Sequence, residues 1–90
     1  MKLQLTRPIK TEKGATISHL DVRDYVTAGD ILYMRRSSSD DVERDYNLLA
    51  ALCNLSLAEF MDLDIRDVKA LDRHCSEIMS PKESAPSETK

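Results

Sequence analysis

Two histidines and two cysteines are the soft metal ligands of this sequence, at His19, Cys53, His74 and Cys75. A structural zinc site converges four ligands, usually as close pairs such as C-x-x-C or H-x-x-x-H on one element. No such pair is present, and His74 falls beside, not on, the helical face that carries Cys75. Asp62-Leu63-Asp64-Ile65-Arg66-Asp67 has the acidic spacing of a calcium loop. It places Arg66 where an oxygen ligand is needed, lacks the mid-loop glycine and has no glutamate at the twelfth position. Helix capping explains it better. Nucleophilic catalysis needs a serine or cysteine beside a histidine that a third group orients. Most serines instead cluster at Ser37–Ser39 and after Met79, away from both histidines. Only two glycines are present, and no glycine-rich phosphate loop. The expectation is a protein that is not an enzyme, with no catalytic, cofactor-binding or metal residue.

Charge and hydropathy narrow the partners. A net charge of −3 provides no basic face to displace phosphate counterions. The last helical stretch mixes Asp67, Asp72 and Glu77 with Arg66, Lys69 and Arg73, a poor match for a recognition helix. Nucleic acid is therefore not expected. No run approaches the roughly 20 apolar residues of a membrane span. The start, MKLQLTRPIK, has no apolar signal region, so the expected location is the cytoplasm.

The elements organise around Leu55–Met79. Ser56 with Glu59 is a capping box, and Asp64 with Asp67 places carboxylates in a first helical turn. Beyond Asp64 the apolar residues Ile65, Val68, Leu71, Cys75 and Ile78 fall at helical spacing on one face. That stripe needs a second wall, which the preceding chain must supply. Leu3 and Leu5 alternate with polar residues, Lys10–Gly14 is a polar turn, and a return strand follows to Arg23. Pro8 predicts the end of the first strand, and the phase change between Ile17 and Leu20 predicts a bulge near Ser18-His19 that turns both apolar pairs inward. Thr27 with Asp30, and Asp40 with Glu43, open two further helices. Val42, Tyr46, Leu49 and Cys53 form the stripe of the longer one, widened by Leu48, Leu52 and Leu55. Both cysteines thus read as buried thiols.

The predicted fold is α+β, a single small domain over residues 1–79. It comprises a β-hairpin (1–23) and a small bundle of three to four helices (27–36, 40–55, 56–62 and 64–79). Residues 80–90, SPKESAPSETK, have no large apolar side chain and read as a flexible tail. A core this small buries only roughly 60 % of the unfolded surface, so a partner or a second copy would add to its stability. The apolar residues least needed for the core, Tyr33 and Met34 on the first helix and Leu57, Phe60 and Met61 on the third, are the candidate partner-binding residues.

Three passages carry a likeness to a known family. They are Leu5-Thr6-Arg7-Pro8-Ile9-Lys10 with its turn to Gly14, Ile17–Arg23 leading into Thr27-Ala28-Gly29-Asp30-Ile31, and Leu48–Leu71 with "Leu-Ser-Leu" and "Leu-Asp-Ile-Arg-Asp-Val". In this order they resemble the small tail assembly chaperones of contractile-tailed phages and prophages, the Mu-like and P2-type tail proteins. The resemblance implies a non-enzymatic role in the bacterial host cytoplasm. Such chaperones keep the long, apolar tape measure protein soluble while the tail tube assembles around it, and are absent from the mature virion. Some are also made in a longer, frameshifted form, for which the stretch from Ser80 is the natural place. Read without the resemblance, the same surface suits a small acidic adaptor or regulator that binds another helical partner, or less readily a DNA-binding regulator. Self-association stays open.

Overall fold

Alternating apolar and polar residues build the first two elements. In the computed structural model, which describes residues 1–80, β1 (Lys2–Lys10) and β2 (Thr16–Asp21) pair as an antiparallel hairpin. The turn closes through Thr11 N–H to Ala15 O (2.7 Å) and Gly14 N–H to Thr11 O (2.9 Å). Gly14 sits at φ 88°, a region that disfavours side chains.

The hairpin register is interrupted. Leu3 faces Leu20 and Gln4 faces His19, yet the next pair is Ile9 with Ile17. Residues 5–8 of β1 therefore stand opposite Ser18 alone. The expected bulge is at this level, but the extra residues belong to β1, not to β2. Nor does it turn both apolar pairs inward: Leu20 and Val22 are buried, whereas Ile17 is half-buried and Ala15 exposed. Pro8 does not end the strand, which continues to Lys10. Its missing N–H costs no ladder bond, because the ladder is already open there.

What holds the bulge is a carboxylate from the far end of the chain. Thr6 N–H donates to both oxygens of Asp67 (3.2 and 2.9 Å), and Thr6 Oγ1 donates to Oδ1 (2.9 Å). Asp67 is 3 % exposed, the one buried charged side chain among the described residues. Its neighbour Arg7 reaches Asp64 (3.4 Å). Asp67 was expected to serve the cap of its own helix; its carboxylate instead ties β1 to that helix.

Four helices follow: α1 (Ala28–Ser37), α2 (Asp41–Leu52), α3 (Leu57–Phe60) and α4 (Ile65–Met79). Each begins at a side-chain cap, Thr27, Asp40, Ser56 and Asp64 respectively, which accepts from a first-turn N–H. Thr27 with Asp30 and Ser56 with Glu59 are full capping boxes. Glu59 also accepts from Glu12 N–H (2.7 Å), fastening the hairpin turn to α3.

Helix α2 stops three residues short of the expected Leu55. Asn54 adopts φ 58°, Leu55 N–H bonds Ala50 O (2.9 Å) and Asn54 N–H bonds Ala51 O (3.2 Å). This is the Schellman arrangement, and asparagine tolerates the left-handed position better than most residues.

The core joins Leu5, Ile9, Leu20 and Val22 of the hairpin segment to Leu48, Leu49 and Leu52 of α2, Phe60 of α3 and Val68, Leu71 and Cys75 of α4. The hairpin and α2 thus supply the second wall that the α4 stripe requires. Ile65 and Val42, expected within the stripes, are 56 % and 59 % exposed. No helix among the described residues is long and apolar enough to cross a membrane. The expected tail lies, apart from Ser80, outside the described residues.

Two outcomes follow from these ties. Asp67→Ala removes the acceptor of the Thr6 N–H and hydroxyl, and a lost charge-assisted bond of this kind costs about 2–3 kcal/mol. The melting temperature, followed by circular dichroism, should fall by roughly 10–20 °C, and Thr6→Ala should cost less, because the backbone bond survives. Acid should also destabilise the fold. The Arg66 side chain and N–H, with Arg7, hold the Asp64 carboxyl far below its ordinary range. The Thr27 N–H and Arg23 lower that of Asp30, and the N–H groups of Ser56 and Glu12 lower that of Glu59. A depressed folded-state pKa adds stability that is complete above the ordinary value near 4 and is lost as pH falls through the lower one. Urea midpoints should be flat from about pH 7 to 5 and drop below about pH 4, and Asp64→Asn should make that drop shallower.

Candidate partner-binding surface

The residues read as partner contacts divide between two short elements. On α3, the Ser56–Glu59 box starts a helix that turns Phe60 inward, 1 % exposed, with its ring centroid 5.2 Å from that of Tyr46 and the planes tilted by 54°. Phe60 is therefore core, and its place among the contact residues is corrected. The next residue points about 100° around the helix axis, and Met61 is 61 % exposed. Leu57 is half-buried. On α1, Tyr33 is 59 % exposed while Met34 is half-buried against the core. Neither of the two grooves that Met34 lines includes Leu57, Phe60 or Met61.

Other exposed apolar side chains lie outside these five candidate contacts. Leu32 extends the α1 face. Tyr25 lies under the Arg23 guanidinium (5.1 Å to the ring centre), and Arg23 also pairs with Asp30 (3.1 Å). Val42 and Ile65 line one groove of about 280 Å³ between α2 and α4, floored by Leu49 and Val68. A second groove of about 380 Å³ continues along the same two helices toward Met34 and Met79. Leu49, Asp45 and Asp72 border both.

The soft ligands are apart. His19 and Cys53 border one polar cleft of about 680 Å³ between β2 and the α2–α3 connection, but burial pushes the Cys53 thiol up to about 12. Burial, with Asp72 and Asp45 nearby, also raises that of Cys75. Both cysteines are free and buried. His74 Nε2 lies 2.9 Å from Arg23 O and 3.4 Å from Asp24, a structural tie from α4 to the end of the hairpin. No group of three or more His, Cys, Asp or Glu suited to a metal occurs among the described residues. Arg66 is engaged with Asp64 (3.0 Å) at the start of α4, where a DNA-reading helix would need it outward.

Comparison with known proteins gives one result that spans nearly all of this. Residues 2–80 match a family model described as "Phage tail assembly chaperone proteins, E, or 41 or 14". No curated protein and no solved structure matches the chain.

The opposite burial of Phe60 and Met61 is measurable. Phe60→Ala should cost about 3–5 kcal/mol, a large part of the whole stability expected at this size, about 4–12 kcal/mol. Met61→Asp should stay within about 0.5 kcal/mol of the wild type in urea unfolding.

Proposed function

Because the chain belongs to the phage tail assembly chaperone family, we propose that its client is the tape measure protein, held soluble in the host cytoplasm until tail tube subunits enclose it. Family membership gives the protein a chaperone role in tail assembly with protein partners there, and suggests a non-enzymatic one. The observation that carries the client reading is the apolar surface left open on so small a domain. Tyr33, Met61, Val42 and Ile65 each expose more than half their area, while long-range bonds such as Thr6–Asp67 hold the framework beneath them.

The mechanism is mass action. A chaperone that covers apolar stretches of its client lowers the free concentration of the aggregating form, and the stabilisation grows with the logarithm of chaperone concentration over its dissociation constant. No bond is made or broken, and displacement by tube subunits requires only that they bind the same stretches more tightly. The overall charge of −3 helps keep the loaded complex dispersed.

Co-expression with a tape measure fragment tests the client. The wild-type chain should bring the fragment into the soluble fraction and be recovered with it on an affinity tag. The fragment remaining insoluble with the chaperone present would reject the client. Capture of a different single protein from cells expressing the tail genes would replace chaperone with adaptor. Tyr33→Asp and Met61→Asp, both at exposed positions, then show whether α1 or α3 contributes, as a loss of soluble fragment without loss of fold.

A further inference from the structure

The apolar stripes of α2 and α4 are longer than the core they feed. Leu49, Val68 and Cys75 are buried, but Val42 and Ile65 at one end and Met79 at the other remain 59 %, 56 % and 49 % exposed. The two grooves they border share Leu49, Asp45 and Asp72, so together they form one trough along α4 from Ile65 to Met79. That helix has 15 residues, about 22 Å at 1.5 Å per residue, the length of roughly four helical turns.

Two acidic side chains stand at the waist of this trough. Among the described residues, neither Asp45 nor Asp72 has an ion-pair or hydrogen-bond partner. Lys69 borders only the Val42–Ile65 end. Both walls are helices whose backbone groups are bonded internally, so the trough offers side chains and no backbone edge. An extended segment laid there would leave its own N–H and C=O groups unpaired, whereas a helix satisfies them itself.

We propose that the trough between α2 and α4 docks an amphipathic helix from a partner protein whose apolar face carries one lysine or arginine, which Asp45 and Asp72 receive. This deepens the chaperone reading by giving the chemistry of the client segment, and rests on that reading only for which protein supplies it. Residues 81–90 of the chain contain no large apolar side chain to fill the trough. A second copy, through Leu32, Tyr33 and Arg36 of α1, is the competing occupant.

The test uses two designed helical peptides of about 20 residues, long enough to hold helical structure, with identical leucine faces and either Lys or Glu at the centre. Each is titrated into isotope-labelled full-length protein and followed by amide NMR. The Lys peptide should shift Val42, Asp45, Ile65 and Asp72 and bind about tenfold more tightly than the Glu peptide. D45K/D72K, at exposed positions, should reverse that preference, and D45N/D72N should abolish it. Equal binding of both peptides, binding to neither, or shifts confined to other elements would overturn the proposal. The same amides moving on concentration of the protein alone would hand the trough to a second copy. Preference intact without capture of the tape measure fragment rejects that client and keeps the trough; capture intact without preference does the reverse.

Discussion

A buried carboxylate is costly unless donors replace its water. In this fold Asp67 obtains them from a place in the sequence 61 residues away. The bulge of β1 frees the Thr6 N–H from the hairpin ladder, and that N–H with the neighbouring hydroxyl supplies what the carboxylate needs. The first turn of α4 adds the positive end of its dipole. Each half would be a defect alone, an open ladder in one case and an unpaired charge in the other. Together they set where α4 crosses the hairpin, and so where Val68, Leu71 and Cys75 meet Leu5, Ile9 and Leu20. The bundle hangs on that crossing.

Much of the fold was legible in the sequence because its signals are local. Four caps, at Thr27, Asp40, Ser56 and Asp64, announce four helices, and the alternation around Leu3 and Leu5 with Gly14 after it announces a hairpin. What escaped depends on relations that are not local. Asp67 looks like any first-turn acid until Thr6 is brought to it. Pro8 looks like a strand end until the ladder is seen to be open beside it. Asn54 does carry a signal, since asparagine favours the left-handed stop, but the leucines around it suggested that the helix ran on. On the surface, Phe60 and Met61 are adjacent in sequence and opposite in burial, and spacing within four helical residues is too short to separate them.

Val42 and Ile65 are the most instructive misreadings. Periodicity assigns them to the core, and they do lie on the inward faces of α2 and α4. The core ends before it reaches them: the first buried side chains of α2 and α4 are Leu48 and Asp67. Apolar stripes that outrun their own protein's interior have a composition set by something besides folding. Such an overrun costs solubility and is tolerated where another molecule covers it.

The distance along the chain between Thr6 and Asp67 also has a temporal meaning. At translation rates of about 5–20 residues per second, a ribosome needs about 3–12 s to travel the 61 residues that separate them. Throughout that interval the hairpin has neither the carboxylate that closes its bulge nor the helix that covers Leu5 and Ile9. Nascent chains interrupted before α4 therefore lack both the clamp and one wall of the trough. Only polypeptides synthesised past α4 complete the trough, so incomplete products do not present it.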